Sequence, residues 1–155
     1  MYCRLELNFI CGFLKDILSS YQLSAISHQI KDKKRRGTMK DFKKLKVWEK
    51  AHRLTLNAYE ASANFPREEL YGLTSQIRRA CVSVPTNIAE GCGRSSDKDF
   101  ARFLQISMGS ASEVEYLLLL GRDLDLLAHE EYEELNRVVV EIKRMLTSLI
   151  KTLRS

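Results

Sequence analysis

The sequence predicts an all-α fold: an up-down-up-down antiparallel four-helix bundle whose second helix is kinked at Pro85. Four stretches repeat apolar residues at steps of three and four, which places those residues on one face of a helix. The links between these stretches are short, so neighbouring helices must run antiparallel. No stretch alternates apolar and polar residues in the way that indicates a strand.

The composition indicates a single globular domain and says little about its partners. The chain has 155 residues, of which 45% are apolar and two are proline, enough for one domain with a full core. Its formal net charge is +5, but residues 1–38 contribute +4 of this. Residues 39–155 carry eighteen basic and seventeen acidic side chains, so the domain's total charge does not by itself indicate nucleic-acid binding.

Residues 1–38 are predicted to form an N-terminal extension, and residues 39–155 the four-helix bundle domain. Apolar residues between positions 10 and 21 fit a short amphipathic helix, and residues 31–36 form a basic linker. The segment resembles neither a signal peptide nor a membrane span, so we expect no membrane partner and a cytoplasmic protein. The extension is expected to be disordered, or not to be made at all if translation starts at Met39.

The first predicted helix covers about residues 45–63. Its stripe at helical spacing consists of seven residues: Val47, Trp48, Ala51, Leu54, Thr55, Ala58 and Tyr59. The residue before a proline avoids helical geometry, so Phe65 followed by Pro66 ends this helix.

The second predicted helix covers Leu70–Arg94. One face of it is apolar: Leu73, Ile77, Ala80, Cys81, Val84 and Ile88. Pro85 removes a backbone donor and crowds the carbonyl of Cys81, which costs a free helix about 3 kcal/mol. The helix therefore needs packing on both flanks. Gly91 and Gly93 are predicted to provide a left-handed stop at its end.

The third and fourth predicted helices complete the bundle. Ser96 with Asp99 resembles a capping box at the start of the third helix, and the fourth covers about residues 130–153. Small residues at 108–112 predict a close approach by another helix, and the leucines at 117–120 cover more than one helix face. These features predict an oligomer interface at Gly109, Ser110, Leu117, Leu119 and Leu120.

Catalytic and metal-binding patterns are incomplete in this sequence. Glu49 and His52 have the spacing of a di-iron helix, but the second copy of that motif is missing. The four cysteines lack metal-ligand spacing, and Cys81 lies on an apolar helix face. We therefore expect no enzyme activity, cofactor or metal.

Basic residues gather at the first helix and around the turn after the second. The candidate nucleic-acid-binding residues are Lys43, Lys44, Lys46, Lys50, Arg78, Arg94, Lys98 and Arg102. Solvated faces and ion pairs are the alternative interpretation of these charges. No base-reading motif or aromatic stacking platform is visible, so any binding is expected to be driven by the phosphate backbone.

A structural polar cluster is predicted between the second and third helices. Counting outward from their connecting turn brings Arg79 opposite residue 110, within reach of Glu113. A partly buried arginine must be paired, so we predict that Arg79 and Glu113 pair, with hydrogen bonds from Gln76 or Asn87.

Four segments carry a resemblance to a known family: Phe42–Trp48, Tyr71–Ala80, Val82–Gly91 and Gly109–Glu113. They resemble the four helix bundle protein family, whose members include reading frames in intervening sequences of 23S rRNA genes. That family is similar to the accessory variability protein of diversity-generating retroelements, which binds nucleic acid and a reverse transcriptase. Cys92 departs from the family pattern, in which an aromatic residue is common. Residues 1–38 have no counterpart in the family.

The resemblance implies a bundle that assembles into a ring-like homopentamer without established enzymatic activity. Two functions remain open. One is a non-enzymatic oligomeric module that binds RNA or DNA, a protein client, or both. The other is a purely structural scaffold that does not bind nucleic acid.

Overall fold

The computed structural model describes residues 40–154, all of which lie in helices, turns or short connections. The predicted helix of the N-terminal extension lies outside the described residues. Short 3-10 helices occupy Phe42–Lys44, Ser62–Asn64 and Arg67–Glu69. The main helices are α1 (Lys46–Ala61), α2 (Leu73–Cys92), α3 (Asp97–Asp123) and α4 (His129–Arg154).

The four helices pack as predicted around one core. Helix α1 packs on α2 and α4, and α3 packs on the same two helices, so each helix has two neighbours. The largest side chains of the core are fully buried: Leu54, Ile77, Val84, Ile88, Phe100, Leu104, Val114, Leu118, Val139, Ile142 and Leu146. The all-α four-helix prediction is confirmed.

Helix α2 continues through Pro85, as the sequence predicts. Pro85 has no N–H, so the carbonyl of Cys81 lacks its usual partner within the helix. The hydroxyl of Thr55 on α1 lies 2.9 Å from that carbonyl oxygen and donates to it, while also lying 2.9 Å from the carbonyl oxygen of Ala51. Packing against α1 therefore supplies the donor that proline removes.

The left-handed stop predicted at Gly91 and Gly93 is wrong. No described glycine has a positive φ, and Gly93 ends α2 with a right-handed φ of −78°. Gly91 lies inside the helix, where a Cβ would come within 2.8 Å of both Phe100 and Phe103. This glycine therefore permits close packing of α3 rather than a change of backbone hand.

The start of α3 is capped as predicted, and its small middle section approaches α2. The Ser96 hydroxyl oxygen accepts from the Asp99 N–H at 3.0 Å. The Ser107 hydroxyl donates to the carbonyl oxygen of Val84 at 3.0 Å. The hydroxyl oxygens of Ser110 and Ser83 lie 2.9 Å apart. The close approach that the small residues predict is thus made by α2 of the same chain.

Candidate nucleic-acid interface

The bundle separates its charges along its length, although the domain as a whole is nearly neutral. The antiparallel order brings the start of α1, the α2–α3 turn and the end of α4 to one end. That half, residues 40–53, 83–110 and 142–154, carries thirteen basic and five acidic side chains, a net +8. We call it the basic end. The other half, residues 54–82 and 111–141, carries five basic and twelve acidic side chains, a net −7, and is the acidic end.

Lys40 fastens the segment before α1 to the turn between α2 and α3. Its backbone N–H donates to the carbonyl oxygen of Cys92 at 3.2 Å. Its ammonium group pairs with Asp97 and lies 4.5 Å from the centre of the Phe100 ring. These contacts join the lysines before α1 to the basic residues around the α2–α3 turn in one region of the surface.

Several of the predicted cations have acidic partners within the domain. Lys50 pairs with Glu141 of α4 at 3.0 Å, and Lys44 lies 4.0 Å from Asp41. Arg94 pairs with Glu90 one helical turn earlier. Exposed pairs of this kind contribute about 0–1 kcal/mol, so phosphate can replace the carboxylate at small cost.

Four predicted cations at the basic end have no acidic partner among residues 40–154. All four are exposed to solvent and lie near the start of α1 or of α3: Lys43, Lys46, Lys98 and Arg102. Lys98 lies in the first turn of α3, between Asp97 and Asp99, and Arg102 lies one turn further along the helix. Unpaired cations on one surface are the groups that release counterions when they meet a phosphate backbone.

Arg78 does not join the other predicted cations, because it lies on the acidic end. Its guanidinium donates to the Ser62 hydroxyl at 2.9 Å and to the Tyr59 carbonyl at 3.5 Å. It also lies 4.8 Å from the centre of the Tyr59 ring. The side chain therefore holds the end of α1 and is not part of the basic surface.

The second half of α4 adds cations that sequence reasoning missed. Arg144, Lys151 and Arg154 lie on its polar side, and Lys143 pairs with Glu115 of α3. A groove of about 510 Å³ between α3 and α4 is lined by Arg144, Lys151 and the hydroxyl-bearing Thr147 and Ser148. The signal in the sequence is a last helix that is acidic in its first half and basic in its second.

The predicted polar cluster is divided into two neighbouring groups. Arg79 donates to the side-chain oxygen of Gln76 at 3.0 Å and lies 3.7 Å from a carboxylate oxygen of Glu113. Its side chain is 73% exposed, so the expected partial burial is wrong. Asn87 instead donates to the carbonyl and hydroxyl oxygens of Ser83, at 2.8 and 3.0 Å.

The candidate oligomer-interface residues differ in their exposure. Leu117 and Ser110 are 8% and 9% exposed, so the bundle itself covers them. Leu119 and Leu120 are half-buried against the core. Gly109 is exposed, and a Cβ there would meet no atom within 4 Å. The leucine run therefore serves mainly the interior of the chain.

The more exposed apolar side chains of α3 were missed from the sequence. Ile106 is 45% exposed and Tyr116 is 60% exposed. With Gly109 between them they lie on one side of the helix, which we call the outer face of α3. Ile106 lies three residues before Gly109 and Tyr116 lies seven residues after it. This helical spacing is the signal that could have identified them.

In the described part of the chain, Cys81, Cys92 and the Glu49–His52 pair form no catalytic arrangement. Burial raises the pKa of the Cys81 thiol to about 12 and also raises the pKa of Cys92. Glu49 lies 3.7 Å from Arg53, and His52 stacks on Trp48. Within residues 40–154, no three His, Cys, Asp or Glu side chains are grouped so that they could hold a metal ion.

The fold and the distribution of charge define the class of protein, which is a four-helix bundle domain with one basic end. The 23S rRNA-intervening sequence protein family matches residues 43–148, and the chain belongs to this family. A solved structure of a protein of unknown function from the S23 ribosomal protein family of Bacteroides thetaiotaomicron is similar to it. The two share 30% identity with a TM-score of 0.62, covering 68% of this chain and 98% of that one.

None of the curated proteins matches this chain. Among the helices of residues 40–154, none is long and apolar enough to cross a membrane.

Proposed function

We propose that this protein is a non-enzymatic oligomeric module that binds the phosphate backbone of RNA or DNA at its basic end. The observation that carries the proposal is the charge separation: a domain with nearly equal numbers of acidic and basic residues places a net +8 at one end. Charge on one surface attracts a polyanion even when the total charge is small.

The unpaired cations at the basic end are suited to backbone contacts. Lys46, Lys98 and Arg102 are exposed and have no acidic partner in the described part of the chain. Lysine and arginine contacts to phosphate position a nucleic acid without reading its sequence. The module should therefore bind many sequences with similar affinity.

RNA is the nucleic acid that the family context favours. The family is described by an intervening sequence of 23S rRNA, and the solved relative is assigned to an S23 ribosomal protein family. A ribosomal RNA partner would place the protein in the cytoplasm.

A homo-oligomer would multiply weak contacts at each basic end. The family resemblance implies five copies in a ring. The outer face of α3 supports assembly, because Ile106 and Tyr116 expose apolar surface beside the unobstructed Gly109. Several weak phosphate contacts on one particle add through effective concentration.

The proposal is tested by reversing charge at the basic end. Replacing Lys98 and Arg102 together by Glu should weaken binding to a generic single-stranded RNA by about tenfold, because two phosphate contacts become repulsive. Arg137→Glu is the charge-reversal control, since Arg137 is exposed, lies on the acidic end and has no acidic partner among residues 40–154. Equal loss of binding in both proteins would refute a localised basic surface.

A structural scaffold is the second candidate, and a specific observation favours it. Helix α4 has Glu130 and Glu131 in its first turn and Lys151 and Arg154 in its last. This order stabilises any helix through its dipole, by about 0.3–1 kcal/mol for each charge, without any ligand. A scaffold of this kind would show no salt-dependent binding to nucleic acid.

A further inference from the structure

A shallow apolar groove runs between α1 and α2 and reaches the basic end. Its volume is about 560 Å³, within the range of small-ligand pockets. The lining includes Phe42, Trp48, His52, Val82, Pro85 and Ala89. We call it the aromatic groove. Val82 is 40% exposed within it, so apolar surface lies open to solvent there.

The aromatic rings along one side of the aromatic groove contact one another in series. The rings of Trp48 and His52 are parallel within 5°, and their centres lie 5.1 Å apart. The Phe42 ring meets Trp48 edge-on, with centres 4.8 Å apart. His52 is exposed at the end of this stack. An exposed ring at the end of a stack offers a flat apolar surface to a further aromatic ligand.

A cation lies beside these rings. The ammonium group of Lys43 is 5.9 Å from the centre of the Phe42 ring, whereas Lys46 lines a separate groove between α1 and α4. The carboxylate of the groove, Glu90, is already paired with Arg94. The aromatic groove therefore combines stacking surfaces with one neighbouring cation, Lys43, which has no acidic partner among residues 40–154.

We propose that the aromatic groove holds unpaired bases of single-stranded nucleic acid while Lys43 contacts a neighbouring phosphate. This inference rests on the proposed function and narrows its ligand class. Stacking on aromatic side chains together with a basic track is how proteins bind single strands without sequence preference. Bases within a duplex are already stacked on each other and cannot enter the groove.

A nucleic acid suits the aromatic groove better than the same groove of a second copy. A symmetric contact between two copies through this groove would bring the Lys43 side chains of both chains into one interface. Like charges placed together oppose association. A polyanion with flat apolar bases complements both features of the groove.

Trp48 allows a direct test, because it is the single tryptophan of the chain. The full-length protein is titrated with single-stranded oligoadenylate, and separately with a duplex of equal length. We expect quenching of Trp48 fluorescence by the single strand and little change with the duplex. His52→Ala should weaken single-strand binding by about tenfold through loss of one stacking surface. His129→Ala, an exposed histidine at the acidic end, is the matched control and should bind normally.

Other outcomes separate this inference from the proposed function. Single-strand binding that depends on Lys98 and Arg102 but leaves Trp48 fluorescence and the His52→Ala affinity unchanged would overturn the aromatic groove alone. Equal quenching by the duplex would also overturn it. A Trp48 signal that changes with protein concentration in the absence of nucleic acid would assign the groove to a second copy. Absence of any binding would refute both proposals.

A second variant tests the same groove. Val82→Glu, which introduces charge into the groove, should weaken single-strand binding as much as His52→Ala does.

Discussion

At the scale of single residues, Thr55 explains how a proline persists inside a buried helix. Its hydroxyl donates to the Cys81 carbonyl, the group that Pro85 leaves without an intrahelical N–H. The hydroxyl, the carbonyl and the proline ring all lie in the interior of the bundle. A buried acceptor without a partner costs about 1–3 kcal/mol, so this side chain offsets most of the hydrogen-bonding penalty of the proline.

Thr55→Val should therefore lower the free energy of unfolding by about 1–3 kcal/mol, because it keeps the shape and removes the donor. Thr86→Val is the control, since the exposed Thr86 hydroxyl donates only within its own helix. Urea unfolding followed by circular dichroism measures both. Pro85→Ala restores an N–H for the Cys81 carbonyl, so Thr55→Val should cost less in that background. Equal costs in both backgrounds would show that Thr55 does not act through this carbonyl.

The buried Cys81 thiol predicts a loss of stability at alkaline pH. Its pKa is raised by burial to about 12, above its value in the unfolded chain. Between these two values the unfolded state binds fewer protons than the folded state, so stability falls as pH rises from about 9. The slope should approach about 1.4 kcal/mol per pH unit. Cys81→Ala should remove this contribution, and an unchanged slope in that variant would contradict the assignment.

At the scale of elements, Gly91 of α2 and Gly109 of α3 have opposite roles. Gly91 lets α3 approach, since a Cβ there would lie 2.8 Å from Phe100 and Phe103. Gly109 faces open space in the single chain. A glycine inside an exposed helix costs about 1 kcal/mol relative to alanine, so its presence at position 109 is not explained by the single chain.

Gly91→Ala should destabilise the protein by about 1–3 kcal/mol through overpacking. Gly109→Ala should stabilise an isolated chain by up to about 1 kcal/mol through helix propensity. Thermal unfolding at low protein concentration measures both. If Gly109 lies in an interface between copies, its methyl group should instead weaken assembly at higher concentration. Destabilisation of the isolated chain by Gly109→Ala would contradict the open surroundings of this residue.

The sequence predicts the helices well because their apolar spacing matches the core that forms. Helix α1 was expected at 45–63 and occupies Lys46–Ala61, and the proline of α2 lies inside the helix as expected. The role of Gly91 could not be predicted, because it depends on where Phe100 and Phe103 of the next helix lie. The hydrogen bonds of the Arg78 side chain likewise could not be predicted, because Ser62 and Tyr59 approach it only in the folded chain.

Several basic residues of the candidate site could be predicted from the sequence, but how far the basic surface extends could not. Lys98 and Arg102 were recognised from their local charge. The cations of α4, such as Arg144, join them only because the fourth helix ends beside the start of the first. The aromatic groove was also missed, because Trp48 and His52 have the spacing of an ordinary helix face. Whether this groove is open to solvent depends on how α2 packs against α1.

At the scale of the whole molecule, assembly is predicted to use the outer face of α3. Light scattering of the wild-type protein should give about five times the chain mass, as the family resemblance implies. Tyr116→Glu places an unpaired charge on this face and should yield smaller, folded species. Leu56→Glu is the control, because Leu56 is 57% exposed on α1. A wild-type protein that stays monomeric at micromolar concentration would contradict the ring.

Charge is separated along the bundle, although the domain has nearly equal numbers of acidic and basic residues. The proposed function follows from this separation, because a basic end can attract a polyanion even when the net charge is near zero. Binding of this kind would release counterions, so its signature would be the dependence of affinity on salt concentration.

The most direct test measures the affinity for single-stranded RNA over a range of salt concentrations. We predict a slope of log K against log salt of about −2 or steeper, corresponding to three or more phosphate contacts. Replacing Lys98 and Arg102 by Glu should make the slope shallower by about 1.4, while Arg137→Glu should leave it unchanged. A slope near zero for the wild-type protein, or the same slope in all three proteins, would contradict binding of the phosphate backbone at the basic end.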